Sequence, residues 1–148
     1  MSLLEPPPDL QKRPRALTFT AVAAILIAIV AVWFWLRFYP EKRAAETFFN
    51  AVVAGDMNHA YQLWQPGPSY KFQDFVADWG PAGYYGPVKS YEIMKARSPH
   101  GTTTSVDIRV ALSPFTPMPD RNDPEKSQKT KVVDVWVDTH DKSFSFPP

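Results

Sequence analysis

The sequence predicts an α+β protein with an N-terminal transmembrane helix. Three observations support this class: the run from Ala16 to Leu36 carries no charge, the segments after it repeat apolar residues at helical spacing, and the remaining segments alternate apolar and polar residues as strands do. Because the helices precede the strands, we expect an antiparallel sheet with helices packed on one face. The predicted organisation is a disordered tail at 1–15, a transmembrane helix at 16–39 and an α+β domain at 40–148.

The apolar run is long enough to cross a bilayer. As a helix it extends roughly 30 Å, the thickness of a bilayer core. The alternative is a cleaved signal peptide, whose apolar region is shorter and ends in small residues. Here the run ends in the bulky residues Trp33, Phe34 and Trp35, followed by Phe38 and Tyr39, which suit a membrane interface. We therefore predict an uncleaved signal anchor.

The number of basic residues is the same on both sides of this anchor, so it does not decide the orientation. We therefore predict the orientation from the short N-terminal tail. Those before the span are Lys12, Arg13 and Arg15, and those after it are Arg37, Lys42 and Arg43. A domain that follows a first apolar segment is readily exported. We expect a single-pass protein of the inner (cytoplasmic) membrane, with the N-terminus inside and the C-terminal domain outside or periplasmic.

Three amphipathic helices are predicted at the start of the domain. Pro40 and Glu41 suit the first turn of the first helix, and Gly55 suits its end. Asp56 is the predicted cap of the second helix, and Ser69 is the predicted cap of the third.

Four strands are predicted after these helices. They lie at 88–96, 102–112, 133–138 and 144–146. Asp107 and Arg109 share one strand face, which predicts a surface ion pair between them. In the third strand Asp134 and Asp138 flank Trp136 on one face. If that face lined a cone they would form a carboxylate pair beside an aromatic wall, but we favour a solvent-facing position because the alternating valines occupy the core side. The Pro-rich loop at 113–129 is predicted to lack regular structure, either as an arm that contacts a partner or as a solvated hairpin extension.

The first two helices of the domain resemble the NTF2-like superfamily. Residues 44–56, AAETFFNAVVAGD, and 60–64, AYQLW, are similar to that family's opening pattern of A-x-x-F-F-x-A-hydrophobic-x-x-G-D and A-Y-x-L. The later strands follow in the family's order, so the resemblance covers most of 41–148. It implies a cone in which a curved antiparallel sheet wraps over helices, often around a pocket. Because family members include isomerases, dehydratases, ligand carriers and structural modules, the fold alone does not select a function.

No motif predicts an enzyme, a cofactor site or a metal site. With 16 basic and 15 acidic residues the net charge is +1, which argues against nucleic-acid binding. The absence of cysteine excludes thiolate catalysis and Cys-type metal sites. The histidines His59, His100 and His140 do not have the spacing of metal ligands.

The alternative is a membrane-tethered NTF2-like enzyme or small-ligand-binding protein. The resemblance implies an Asp–His or Asp–Tyr pair inside the cone for such an activity. The candidates are Asp56, Asp74, Asp78, Asp107, Asp134, Tyr61, Tyr84, Tyr85 and Tyr91. A cone filled by large side chains argues against this alternative, and the residues able to fill it are Phe48, Phe49, Val52, Trp64 and Phe75.

The favoured hypothesis is a non-enzymatic accessory, assembly or scaffold subunit of a membrane protein complex. A short inner tail, a single membrane span and an exported NTF2-like domain form a layout that is similar to that of subunits of type IV secretion systems. Assembly factors of respiratory and photosynthetic complexes have a similar layout. The candidate partner contacts are Thr20, Ala24, Ala28 and Ala31 on one stripe of the anchor, Tyr84 and Tyr85 between flexible glycines, and Phe115 and Met118 in the Pro-rich loop. Each of these assignments has an alternative. Alanine is common in membrane spans, so the stripe need not be a contact surface, and the tyrosines equally suit a cover over the end of the sheet.

Overall fold

The computed structural model describes residues 15–101, 104–118 and 122–148. The prediction of a disordered tail concerns residues 1–15, of which 1–14 lie outside the described range. The chain forms two compact units, one ending at Arg37 and the other comprising Phe38–Pro148.

Helix α1, Arg15–Leu36, is the described element of the first unit. It is long and apolar enough to span a membrane, and its side chains between 19 and 34 are exposed. The helix ends three residues before the predicted limit at 39. Because Pro40 has no backbone N–H, it cannot donate the hydrogen bond that would continue the helix to the carbonyl of Leu36. Near this end the Arg37 guanidinium lies 5.7 Å from the ring centroid of Trp33.

The second unit begins with three helices, as predicted. They are α2, Tyr39–Ala54, α3, Met57–Trp64, and α4, Phe72–Trp79. Gly55 ends α2 in the left-handed region at φ 78°, where a side chain would be strained. Asp56 caps α3, since its carboxylate accepts the backbone N–H of His59 at 3.0 Å. The sequence therefore predicted this junction correctly.

The start of α4 differs from the prediction. Ser69 does not cap this helix, which begins at Phe72 with Lys71 in the capping position. The carboxylate of Asp74 reaches back to accept the Lys71 backbone N–H at 3.0 Å. An acidic residue in the first turn also interacts favourably with the helix dipole, so this arrangement stabilises the later start.

The strands form an open four-stranded antiparallel sheet with the order β1-β2-β3-β4 in the described part of the chain. Their bounds are β1, Ser90–Arg97, β2, Ser105–Ser113, β3, Lys131–Asp138, and β4, Phe144–Ser145. The α+β class is thereby confirmed. The buried valines of β2 and β3 face the helices, and the residues that alternate with them form the outer face of the sheet.

The core between the sheet and helices α2 to α4 is filled by aromatic rings. The ring of Phe48 is at its centre, with five other ring centroids 5.0 to 6.2 Å away. These rings belong to Phe49, Trp64, Phe75, Trp79 and Phe144, and all are buried. Burial of each such ring contributes about 1.5–3 kcal/mol to folding, so this cluster is a major source of the domain's stability.

The Pro-rich segment is more ordered than predicted. Ser113 is the last residue of β2, and Pro124–Gln128 forms a short helix, α5. The carboxylate of Asp123 accepts the backbone N–H groups of Glu125 and Lys126 at 3.2 and 3.3 Å. The prediction of a loop without regular structure across 113–129 is therefore wrong at both ends, because β2 extends into the segment and the Asp123 cap starts a helical turn.

Candidate functional site

The turn at residues 80–87, here called the tyrosine turn, is fixed to the end of α4. The backbone N–H of Tyr84 donates to the carbonyl of Ala77, and that of Tyr85 donates to the carbonyl of Asp78, both at 2.8 Å. These bonds satisfy carbonyls at the helix end that have no partner within the helix. The turn is therefore held against the end of α4 by these backbone hydrogen bonds.

The glycines of this turn are required by close contacts. A Cβ atom on Gly86 would lie 1.9 Å from the carbonyl oxygen of Gly80. A Cβ on Gly83 would lie 2.8 Å from the carbonyl oxygen of Ala77. Both distances are far below van der Waals contact, so a larger residue at either position must displace the backbone.

The two tyrosines of the turn have different environments. The ring of Tyr85 stacks on Trp79 with centroids 4.8 Å apart and on Phe146 at 5.9 Å, so it covers the aromatic core. The ring of Tyr84 is 70% exposed and meets the edge of Tyr85 at 4.9 Å. The two roles that the sequence allows are therefore divided between the residues, because Tyr85 is a cover and Tyr84 is presented to solvent.

Lys131 at the start of β3 completes this surface. Its ammonium lies 5.3 Å from the ring centroid of Tyr84 and donates a hydrogen bond to the backbone carbonyl of Tyr84. A cation over an aromatic face is attracted by the ring's quadrupole. Sequence reasoning missed Lys131, since the two residues are 47 positions apart.

The other predicted contacts in the domain pack back on the sheet. The hydroxyl of Ser90 donates to the carbonyl of Phe115 at 2.7 Å and lies 3.5 Å from the sulfur of Met118. Met118 also lines a groove of about 210 Å³ beside the exposed side chains of Met94 and Val132. This part of the Pro-rich segment is therefore held against the sheet and is not a free arm.

The predicted stripe on α1 lies on one side of the helix. Thr20, Ala24, Ala28 and Ala31 are all exposed. Spacings of four, four and three residues keep them within about one quarter of the helix circumference. The stripe is therefore narrow and smooth enough for close approach by another helix.

The acidic candidates for an active site have structural partners. Asp56 and Asp74 are the helix caps described above. Asp107 pairs with Arg97 at 2.6 Å, and Asp134 accepts two hydrogen bonds from Arg109 at 2.7 Å each. The predicted pair between Asp107 and Arg109 is wrong, because cross-strand neighbours are closer than residues two apart on one strand.

One Asp–Tyr pair does exist, between Tyr70 and Asp78 of α4. The hydroxyl of Tyr70 donates to Asp78 Oδ2 at 2.6 Å, and the Tyr61 hydroxyl donates to the backbone carbonyl of Tyr70 at 2.9 Å. Burial, followed by the hydrogen bond to Asp78, raises the pKa of Tyr70 far above its usual value. A phenol held protonated at neutral pH is a poor general base, so this pair is better suited to fixing α4 than to catalysis.

The remaining tyrosine candidate, Tyr91, has a structural environment too. Its hydroxyl donates to Asn50 Oδ1 at 2.9 Å, and its ring lies 5.3 Å from that of Phe49. Among the described residues, no three His, Asp or Glu side chains converge to hold a metal ion.

No protein-family model matches this chain, and neither the curated proteins nor the solved structures include a significant match. The NTF2-like resemblance therefore stays a prediction, and function is inferred from the surfaces described above.

Proposed function

We propose that the chain is a non-enzymatic, single-pass membrane protein whose exported domain is an accessory, assembly or scaffold subunit of a membrane protein complex. In this proposal α1 is the uncleaved anchor in the inner membrane, with the N-terminus inside. The observation that carries the proposal is Tyr84, an aromatic side chain that is presented to solvent by a rigid turn. Tyrosines of this kind are enriched among the residues that dominate binding energy at protein interfaces.

The filled interior also supports a binding role over the enzymatic alternative. An NTF2-like enzyme needs a pocket between the sheet and the helices. That space holds Phe48 and the five rings around it, with centroids 5.0 to 6.2 Å from its own. We include the NTF2-like cone in the proposal, with its interior occupied by side chains, because an antiparallel sheet over three helices is compatible with it.

Rigidity makes Tyr84 a better contact than its exposure alone indicates. A residue on a mobile loop loses conformational entropy when a partner binds, which weakens the complex. The backbone bonds from Tyr84 and Tyr85 to α4, together with the stack of Tyr85 on Trp79, already impose this order on the free protein. We expect Lys131 to favour a partner surface with carbonyl or carboxylate oxygens near the aromatic contact.

Co-purification tests the proposal. The full chain with a C-terminal tag is extracted in a mild detergent after cross-linking, and partners are identified by mass spectrometry. We expect a stable membrane-protein partner whose recovery falls at least about tenfold in Tyr84→Ala. Phe72→Ala, at another partly exposed aromatic position, is the matched control and should retain the partner. Recovery of a lone monomer from wild-type membranes would contradict the proposal.

Reporter fusions test the proposed orientation separately. Alkaline phosphatase fused after Pro148 is active only when exported, whereas a fluorescent protein that matures in the cytoplasm gives the opposite readout. We expect phosphatase activity and no fluorescence. The reverse pattern would place the domain on the cytoplasmic side.

A further inference from the structure

A cavity lies on the outer face of the sheet, opposite the aromatic core. It has a volume of about 370 Å³ and is here called the outer-face cavity. Its position follows from the strand register, which aligns Arg97 of β1, Asp107 of β2, Trp136 of β3 and Ser145 of β4 in one cross-strand row.

Two proline-containing segments form the walls of this cavity. Residues 98–100, which follow β1, form one wall, and Pro147 with Pro148 forms the other. Trp136 lies between them and is half-buried. Proline fixes its own backbone φ angle, so these walls lose little conformational freedom when a ligand enters.

Asp107 places a buried carboxylate in the lining of the cavity. This residue is only 4% exposed, and its Oδ2 pairs with the Nε atom of Arg97 at 2.6 Å. Its other oxygen, Oδ1, is buried and has no hydrogen-bond partner among the residues that the structure describes. A buried carboxylate oxygen without a donor is costly, and such a group calls for water or a ligand that supplies one.

Two ion pairs lie at or beside the cavity, and His100 is the other ionisable side chain in its lining. Arg97 is paired with Asp107, and Arg109 beside them is paired with Asp134 through two hydrogen bonds of 2.7 Å. Burial of a charged ligand group is unfavourable unless an opposite charge is available to pair with it. With both pairs already neutral, the site favours a neutral ligand that carries hydrogen-bond donors.

We propose that the outer-face cavity binds a neutral saccharide. One face of a sugar ring is formed by C–H groups and packs on the indole of Trp136, while its hydroxyl groups donate to Asp107 and accept from Arg97. The volume lies near the lower end of the range for small-molecule sites, about 300–1,000 Å³, which fits one or two sugar rings. An indole and a carboxylate thus supply the apolar and polar parts of one recognition surface.

An extended peptide is a poorer occupant of this cavity. Peptides that bind sheets add a strand at an open edge, where backbone groups lack partners. Here the floor is formed by residues of β1, β2 and β3, and the central strand β2 is paired on one side with β1 and on the other with β3. Recognition must therefore come from side chains, which suits a compact ligand bounded by the two walls.

Saturation-transfer-difference NMR on the full chain in lipid nanodiscs tests the proposal. Nanodiscs avoid sugar-based detergents, which would compete. The probes are glucose and N-acetylglucosamine as neutral sugars, glucuronate as an anionic analogue, and a neutral capped dipeptide. We expect signals from the neutral sugars and weaker ones from glucuronate. Asp107→Asn removes the acceptor charge and should weaken sugar binding by roughly tenfold.

Two substitutions of Trp136 distinguish recognition from a folding effect. Trp136→Ala should abolish the sugar signal, whereas Trp136→Phe retains a ring and should restore part of it. Tyr84→Ala should leave the signal unchanged, because that residue lies outside the cavity lining; this separates the present proposal from the proposed partner contact. The absence of a signal from both neutral sugars, binding of the dipeptide in their place, or equal binding in folded Trp136→Ala would overturn the proposal.

Discussion

The ammonium of Lys142 lies 2.7 Å from the carboxylate Oε1 of Glu41, across 101 positions of sequence. Lys142 occupies the turn between β3 and β4, and the same ammonium also donates to the carbonyl of Thr139 at 2.6 Å. Glu41 is in the first turn of α2 and is 5% exposed. The pair therefore joins the last hairpin of the sheet to the first helix of the domain.

We expect Glu41→Gln to destabilise the domain by about 1–3 kcal/mol, because it leaves the Lys142 ammonium partly buried without its counter-charge. This expected loss of stability is smaller than the loss for a fully buried ion pair, since a third of the Lys142 side chain is exposed. Near-UV circular dichroism during chemical unfolding in nanodiscs measures the change. The double variant Glu41→Gln with Lys142→Met should recover part of the loss, and a double variant less stable than the single one would contradict this pairing.

We expect a single added methyl group in the tyrosine turn to lower the stability of the domain strongly. Gly86→Ala would place its Cβ 1.9 Å from the carbonyl oxygen of Gly80, so the backbone must move. We expect a loss of about 3 kcal/mol or more, together with loss of the Tyr84 contact surface. Chemical unfolding of Gly67→Ala is the matched control. A Cβ on Gly67 meets no atom within 4 Å, so that variant should be neutral or slightly stabilising.

The stripe on α1 gives a prediction about association in the membrane. Ala24→Leu with Ala28→Leu fills the side on which another helix would approach, and we expect partner recovery to fall several-fold. Val22→Phe with Ile29→Phe adds similar bulk on the opposite side of the helix and should leave recovery unchanged. Cross-linking of whole membranes provides the measurement. Equal recovery in both double variants would show that the stripe is not a contact surface.

Features that depend on neighbouring residues were predictable from the sequence. The end of α2 at Gly55 and the cap of α3 at Asp56 are examples, because each is decided within one turn of helix. The alternating valines of β3 were assigned to the core for a similar reason, since a strand presents every second residue to one face.

Features that depend on strand register or on tertiary packing were not predictable. The partner of Asp107 is Arg97 on β1, a pairing that is fixed only once β1 and β2 are aligned. Tyr84 and Tyr85 are adjacent and chemically identical, so only the positions of Trp79 and Phe146 in the folded domain decide which one is partly buried. The outer-face cavity requires residues of three strands and two flanking segments, and no local pattern in the sequence encodes it.

The hydrogen bond between Tyr70 and Asp78 predicts a loss of stability at alkaline pH. Burial and this bond raise the pKa of Tyr70 in the folded state, whereas in the unfolded chain it ionises near pH 10. Above that pH the unfolded state binds fewer protons than the folded state, so the free energy of unfolding falls as the pH rises. Tyr85 and Tyr91 also have raised pKa values through burial and contribute to the same fall.

We expect Tyr70→Phe to lower stability by about 1–2 kcal/mol at neutral pH and to make the alkaline decline shallower. Chemical unfolding at neutral pH and at several values above 10 measures both effects, and an alkaline decline as steep as that of the wild type would contradict the assignment.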